Sequence, residues 1–306
     1  MDAKLDGEAF EVFDSLNVIC KLSCQHGAGL VIRFRRVRIV STPIYCVVPV
    51  IKLLAGNGTE CLELEMCGLD DEAVMSVLHT SKSLCNLSLA YNSHIRSLEF
   101  LAKLPHLCQL DLSGINLRGK CEGLRGLVRG LEYLRMVGCS LKSADLDVLS
   151  TTKHMLSLCH LDLSENFFGL YRDFSSFCKL CQTLQKVSVL EVENCNLNRV
   201  TPEMLTELIN IFVRMPNLTL LRMTRNDFPS WVILSHLIHL RNSSTLRCLC
   251  LTTPSDKYLS DDYTVIDRGI QELQSNFINC LNAAKSTHLS VDWSEETSYS
   301  HWYYSF

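Results

Sequence analysis

The residues best suited to chemistry in this chain are its 16 cysteines and 10 histidines. Cys178-Lys-Leu-Cys181 has the CxxC spacing found in zinc sites and in redox dithiols. A structural zinc needs about four ligands, and Cys159 and His160 are the residues that could approach this pair in space. No second CxxC lies nearby, and the thioredoxin-like setting of a redox dithiol is absent. We therefore interpret both cysteines as small packing residues, and we predict no bound metal and no cofactor.

Motifs typical of enzymes are absent from the sequence. It contains no glycine-rich phosphate loop, no GxSxG and no HExxH. His236 and His239 lie three residues apart beside leucines, which indicates the exposed edge of a helix rather than a pair of ligands. The sequence therefore predicts no catalytic residues and no enzymatic activity.

Composition narrows the class of protein further. The 306 residues carry 29 Lys and Arg against 33 Asp and Glu, a net charge of −4, with 47% apolar residues. Such a chain can bury a core, so it is not a disordered tail, and it lacks the basic balance of a nucleic-acid-binding protein. We expect no nucleic acid partner.

The beginning of the sequence bears on its compartment. MDAKLDGEAF carries acids where a signal peptide has basic residues, and no apolar run is long enough to span a bilayer. We therefore expect a cytoplasmic protein with reduced thiols that does not insert into membranes. Sequons at Asn57, Asn86, Asn217 and Asn242 point the other way, and we interpret them as chance matches.

A repeat is the main signal in the chain. Residues 131–141 read LxxLxLxxCxL, with Met136 in one leucine slot, and residues 158–168 repeat the pattern with Asn166 in place of the cysteine. Copies recur at intervals of mostly about 20 to 30 residues, the period of leucine-rich repeats. The first leucines of the LxL pairs are Leu62, Leu87, Leu110, Leu134, Leu161, Leu190, Leu221, Leu249 and Leu289.

This pattern predicts an α/β leucine-rich repeat solenoid, a horseshoe with a parallel β-sheet on its concave face and helices on its convex face. Alternate leucines lie on one face of a short strand, and stacked repeats bury that face together. An Asn or Cys after most strands, as at Cys195 and Asn226, should bond backbone groups of the turn and of the next repeat. Ile115 has no polar side chain, so its turn should be held less well. We predict a capping segment over residues 1–29 and a repeat domain with a C-terminal cap over residues 30–306.

The sequence predicts the structure of three segments that connect the strands. Thr201-Pro202 should begin a helix that buries Leu205, Leu208, Ile209 and Phe212. A longer stripe from Ile266 to Leu281 predicts a helix that could cap the end of the solenoid. The short interval between Leu89 and Leu107 leaves room for a short helix or a 3₁₀ turn.

The sequence resembles the PRAME-type leucine-rich repeat proteins. Three stretches carry the resemblance: residues 30–54, with a strand and a first helix; residues 131–166, with alternating LExLxxxxCxL and LxxLDLSxN; and the aromatic ending from Val291 to Phe306. The resemblance implies a non-catalytic protein-interaction scaffold. It implies either restraint of NF-κB and Toll-like receptor signalling or substrate recognition for a cullin-2 RING ubiquitin ligase.

Members of this family bind elongin C, in complex with elongin B, through a short N-terminal helix. Here the matching positions are Leu16, Cys20 and Cys24, which share one face if residues 15–24 are helical. The last position is Cys where the family has an aliphatic residue, and no cullin-box pattern follows. The alternative, which we favour, is a capping helix whose apolar side covers the first repeat.

The concave face is the surface that we expect to bind a protein partner. Seven acids and three arginines flank the strand leucines, so we predict an acidic strip, with two tyrosines and a histidine, that recognises a basic or amphipathic helix. The alternative is that Asp111 and Asp162 belong to the LDLS repeat motif and order the sheet locally. By register we also place Trp293 on this face. The predicted site residues are Glu63, Glu65, Tyr91, Asp111, Tyr133, Arg135, His160, Asp162, Glu165, Glu191, Glu193, Arg222 and Arg225.

Overall fold

The structure is a computed structural model that describes residues 2–5, 36–45, 47–48, 59–78, 82–253, 263–282 and 289–294. The chain divides into two compact units, residues 1–131 and residues 132–305. Leu16, Cys20, Cys24 and the predicted boundary at residue 29 lie outside the described residues, so the elongin-binding helix and the capping segment stay predictions.

The described residues of the first unit form five parallel strands that pair in chain order. They are β1 (Asp2–Leu5), β2 (Arg36–Val40), β3 (Cys61–Glu65), β4 (Asn86–Ser88) and β5 (Gln109–Asp111). Helix α1 (Asp71–Leu78) follows β3, and 3₁₀ helices cover Glu99–Lys103 and Cys121–Gly126. The sequence did not predict β1, whereas the 3₁₀ turn expected between Leu89 and Leu107 is confirmed.

The second unit, called unit 2 below, repeats the strand–helix alternation with longer helices. Its parallel strands are β6 (Tyr133–Arg135), β7 (His160–Asp162), β8 (Val189–Glu191), β9 (Leu220–Arg222), β10 (Cys248–Thr252) and β11 (Ser290–Ser294). The helices are α2 (Ser143–Thr151), α3 (Tyr171–Thr183), α4 (Pro202–Arg214), α5 (Ser230–Ser235) and α6 (Tyr263–Asn282). Short 3₁₀ helices cover Lys153–Ser157, Leu197–Arg199 and Leu237–Asn242.

The predicted repeat register is confirmed in β3 to β5 of the first unit and in β6 to β10 of unit 2. In unit 2, Leu134, Leu161, Leu190, Leu221 and Leu249 align across five neighbouring strands and are buried. The predicted pair at Leu289 and Val291 is wrong by two residues, since Val291 is the residue that aligns with Leu249. Short strand signals such as HLSVDW fit two registers that differ by two residues, because both keep the same side chains facing inward.

Trp293 corrects a second prediction. It aligns with the buried Leu251 and its ring meets Phe277 of α6 edge-on, with ring centroids 5.9 Å apart. Its side chain therefore faces the helical layer, not the concave face, as the alternation from Val291 requires. The indole thus packs α6, the predicted C-terminal helix, against β11.

Asparagines after β4, β7 and β9 hold neighbouring repeats together. The Asn226 amide nitrogen donates to the carbonyls of Val192 and Met223, 2.8 and 2.9 Å away, and its oxygen accepts from the amides of Cys195 and Leu197. Asn92 makes the four equivalent bonds. Asn166 donates to the carbonyls of Met136 and Leu163 and accepts from the Leu141 amide. The predicted backbone role is confirmed, but the direction was wrong, since each side chain reaches the preceding repeat.

The cysteines at this position bond more weakly. The Cys195 sulfur lies 3.5 Å from the Leu163 carbonyl oxygen, and the Cys67 sulfur lies 3.5 Å from that of Ile39. Thiols are weak donors, so these contacts contribute less than the four bonds of an asparagine. In unit 2, turns held by Cys139, Asn166, Cys195 and Asn226 thus alternate between weak and strong.

Helix α4 forms as the sequence predicts. The Thr201 hydroxyl accepts a bond from the Met204 amide, and Pro202 occupies the first helical turn. The predicted stripe, from Leu205 to Phe212, is buried. In α6, the side chains of Leu273 and Phe277 are buried, as the longer stripe predicts.

A substitution of Leu163 tests the predicted register. Leu163 is the second leucine of the LxL pair that begins at Leu161, and it is fully buried. We expect Leu163→Ala to lower the free energy of unfolding by about 2 to 5 kcal/mol, since it leaves a cavity among the stacked repeats. The matched control Leu156→Ala removes a leucine that is 51% exposed and should change stability by less than about 0.5 kcal/mol. Chemical denaturation followed by circular dichroism measures both, and equal effects would contradict the register.

Candidate protein-interaction surface

The strand face of unit 2 is the side of β6 to β10 that carries the residues between the buried leucines. Parallel register places these residues in rows that run across the strands. The ionic row contains Arg135, Asp162, Glu191 and Arg222. The apolar row, two residues earlier on each strand, contains Tyr133, His160, Val189, Leu220 and Cys248.

The charges of the ionic row are paired with one another. Arg135 Nε lies 3.0 Å from Asp162 Oδ2, and Arg222 Nε lies 3.6 Å from Glu191 Oε2. The order along the row is therefore positive, negative, negative, positive. Each outer arginine balances the carboxylate beside it, so the row offers a partner little free charge.

Asp162 is the most buried charge in the row, with 4% of its surface exposed. Its Oδ1 accepts a 3.0 Å bond from the Ser164 amide. Burial and the neighbouring Glu191 carboxylate raise the pKa of Asp162, although Arg135 and Ser164 oppose the shift. Asp162 therefore acts inside the sheet, as the alternative interpretation of the LDLS motif predicts.

Glu191 connects the ionic row to the apolar row. Its Oε1 lies 2.7 Å from His160 Nε2, and the His160 ring packs on Tyr133 with centroids 4.5 Å apart. Burial acts to raise the pKa of Glu191, but the His160 bond and the charge of Arg222 outweigh it, so that pKa lies below its ordinary value. Glu191 is thus held as a carboxylate.

A third group of charges lies just beyond the strand ends. Arg225 is 44% exposed on its side chain, with its Nη2 3.7 Å from Glu193 Oε2 and 3.8 Å from Glu165 Oε1. Burial and the nearby Glu191 and Asp162 raise the pKa of Glu193, against the effect of a hydrogen bond from Thr224. Glu165 and Arg225 have positive φ angles of 60° and 54°, which turn the chain away from the sheet.

Predicted site residues of the first unit are arranged in a similar way. Arg38 Nε lies 3.1 Å from Glu63 Oε2, and Arg38 Nη2 lies 3.2 Å from Glu65 Oε2. Asp111 is 2% exposed and accepts a 2.8 Å bond from the Ser113 amide. Tyr91 is 54% exposed, and its ring lies against Gly114, where a Cβ atom would collide with it.

The predicted acidic strip is therefore not a strip of free carboxylates. Glu63, Asp111 and Asp162 are buried and serve the sheet, whereas Glu65, Glu191 and Glu193 are half-buried beside arginines. Sequence reasoning could assign residues to this face but could not foresee the pairing across strands. It also missed Val189, Leu220 and Cys248, half-buried residues of the apolar row, because it considered mainly charged and aromatic side chains.

Cys178 and Cys181 are free, buried thiols of α3, as the packing interpretation predicts. Burial and the charge of Glu207 raise the pKa of Cys178 to about 12, and burial raises that of Cys181 well above its ordinary value. Within the described residues, no three His, Cys, Asp or Glu side chains gather closely enough to hold a metal ion. No helix in that part of the chain is both long and apolar enough to cross a membrane.

The pKa of Asp162 gives a prediction about stability and pH. Folded Asp162 holds its proton more tightly than the unfolded chain, so its contribution to the free energy of unfolding falls as pH rises from the ordinary pKa of 3.8 through the raised value. We expect the stability of the wild type relative to Asp162→Asn to fall across this window. Urea denaturation of both proteins over a pH series measures the difference, and a flat or rising difference would contradict the burial argument.

Comparison with known proteins agrees with this architecture. No protein-family model matches the sequence. Over 98 residues the chain is 36% identical to leucine-rich repeat-containing protein 14 of Xenopus laevis, a stretch that covers 32% of this chain and 19% of that protein. The chain thus matches less than a fifth of that relative's length.

A solved structure extends the likeness of fold over most of the chain. The leucine-rich repeat-containing protein LegL7 from Legionella pneumophila aligns with a TM-score of 0.57 and 15% identity, covering 87% of this chain and 85% of that one. At that identity the alignment bears on the fold alone. The protein is an α/β leucine-rich repeat solenoid that is similar in sequence to leucine-rich repeat-containing protein 14 over about a third of its length.

Proposed function

We propose that the protein is a non-catalytic interaction module that binds a partner protein on the strand face of unit 2. The observation that carries the proposal is the apolar row, from Tyr133 to Cys248, lying beside charges that are already paired. Protein interfaces combine a core poor in free charge and rich in aromatic residues with a polar rim. The apolar row supplies that core, and Glu165 and Arg225 supply part of the rim.

The length of the apolar row matches a single helix of a partner protein. Parallel strands lie about 5 Å apart, so a row that crosses five of them is about 20 Å long. An amphipathic helix of about 13 residues has this length. Because the ionic row is nearly balanced, the partner helix needs an apolar stripe more than a strong positive charge.

The finer proposal rests on the family resemblance and on the stretch shared with leucine-rich repeat-containing protein 14. It is that the protein acts in the cytoplasm as a negative regulator of NF-κB and Toll-like receptor signalling. The second candidate is the substrate-recognition subunit of a cullin-2 RING ubiquitin ligase, with elongins B and C as partners. Its specific support is the Leu16, Cys20 and Cys24 pattern, and both candidates use the same strand face to hold a target.

The binding surface can be tested by placing charge in the apolar row. We expect Val189→Asp combined with Leu220→Asp to abolish binding of at least one protein that co-purifies with the tagged chain from cells, because the carboxylates would be buried without partners. The control Leu234→Asp changes an exposed leucine of α5 and should retain that protein. Quantitative mass spectrometry compares the three samples, and identical retention by all three would refute the assignment.

The two candidate pathways can be separated in the same experiment. Under the ligase hypothesis, elongins B and C and cullin-2 co-purify with the wild type and are lost from a variant carrying Leu16→Ser and Cys20→Ser. Under the regulator hypothesis, they are absent from both samples while a signalling protein is retained. Neither result depends on the residues changed in the apolar row.

A further inference from the structure

A second surface of unit 2 lies at the edge where the chain enters strands β7 to β10. Four segments lead into these strands: residues 151–159, 184–188, 214–219 and 241–247. They contain five cations and no Asp or Glu. We call this set the basic edge, and its cations are Lys153, Lys186, Arg214, Arg241 and Arg247.

Hydrogen bonds hold these segments side by side. The Ser188 amide donates to the Cys159 carbonyl at 2.7 Å, and the Thr219 amide donates to Ser188 at 2.9 Å. The Arg247 amide continues the series by donating to Thr219 at 2.8 Å. Asn217 Nδ2 also donates to the Gln185 carbonyl at 2.7 Å. Each repeat therefore places its entry segment next to that of the adjacent repeat.

The cations of the basic edge face solvent. Lys153, Lys186, Arg214 and Arg247 are exposed, and Arg241 is half-buried. Among the described residues none of the five forms an ion pair, and the Arg247 guanidinium donates only to the carbonyls of Ser244 and Leu246. This differs from the ionic row, in which every charge has an opposite neighbour.

The opposite edge, where the chain leaves the strands, has a mixed charge. There Glu165, Glu193 and Asp227 accompany Arg199 and Arg225. Five uncompensated cations at one edge of an otherwise acidic chain produce a local positive potential. The chain as a whole has a net charge of −4, which would repel a long polyanion. The basic edge is therefore suited to attract a short acidic segment.

An apolar depression opens beside these cations, between the ends of α3 and α4. Leu184, Ile211 and Met215 are buried and line it together with Pro216, and the exposed Arg214 stands at its rim. Gln182 and Gln185 complete the rim. A site of this kind can seat one apolar side chain while the adjacent cations contact flanking carboxylates.

We propose that the basic edge binds an acidic, extended segment of a partner protein, with one apolar side chain of that segment seated in the depression. Single-stranded nucleic acid is the competing polyanion. Proteins that bind it supply aromatic side chains on which bases stack, and the four segments contain no Phe, Tyr or Trp. The basic edge adjoins the apolar row, since Arg247 directly precedes Cys248. Its cations and its depression are other residues than those of the strand face, so its role does not depend on the proposed function.

The test uses the full chain and a fluorescein-labelled peptide of Asp and Glu residues with one central leucine. Fluorescence anisotropy should show saturable binding that weakens as salt is added, because exposed charges are screened. We expect Lys186→Glu combined with Arg214→Glu to weaken binding about tenfold, since two attractions become repulsions. The control Arg172→Glu with Arg199→Glu makes the same change of charge at exposed positions away from the basic edge and should bind as the wild type does.

Two further probes assign the ligand class. A peptide with the leucine replaced by serine should bind more weakly than the original, because serine cannot fill the depression, and equal binding would overturn the seating of an apolar side chain there. Absence of saturable binding, or equal weakening in both double variants, would overturn the proposal. Tighter binding of a single-stranded oligonucleotide of equal charge, with the same dependence on Lys186 and Arg214, would overturn it in favour of a nucleic acid surface.

Discussion

A strand of three residues is too short to bury its own leucines or to satisfy the backbone at its own ends. Each repeat of this protein therefore depends on its neighbours. Asn226 shows the dependence most clearly, because one buried side chain bonds the backbone at Val192, Cys195 and Leu197 of the preceding repeat as well as at Met223 of its own. A buried amide that lost these partners would leave several polar groups unsatisfied, so the stacked repeats stabilise one another.

The same dependence determines the character of the strand face. In-register strands place side chains of successive repeats close together, and like charges in adjacent strands destabilise a sheet. Asp162 and Glu191 are such a pair, and Arg135, Arg222 and His160 surround them. The charges that looked available to a partner are thus largely used within the protein. The apolar row and the basic edge are the surfaces of unit 2 that we propose for binding.

The sequence predicted the features that depend on local pattern. Alternate leucines predicted most of the strands, and the Thr201-Pro202 pair predicted the start of α4. Features that depend on neighbouring repeats could not be predicted in this way. The Asn226 bonds to the preceding repeat and the pairing of Arg135 with Asp162 both arise only when neighbouring repeats stack. The register of β11 failed because Leu289 and Val291 fit the LxL pattern as well as Val291 and Trp293 fit the observed strand.

Hydrogen exchange in an Asn226→Ala variant, resolved by residue, is the measurement that tests the dependence between repeats most directly. The amides of Cys195 and Leu197 donate to the Asn226 side chain, so the account predicts that both lose protection although they lie in the preceding repeat. An Asn198→Ala variant, changed at an exposed position of the same turn region, should keep the wild-type pattern. Loss of protection confined to the residues around position 226 would contradict the account, because it would mean that each repeat stabilises its own turn.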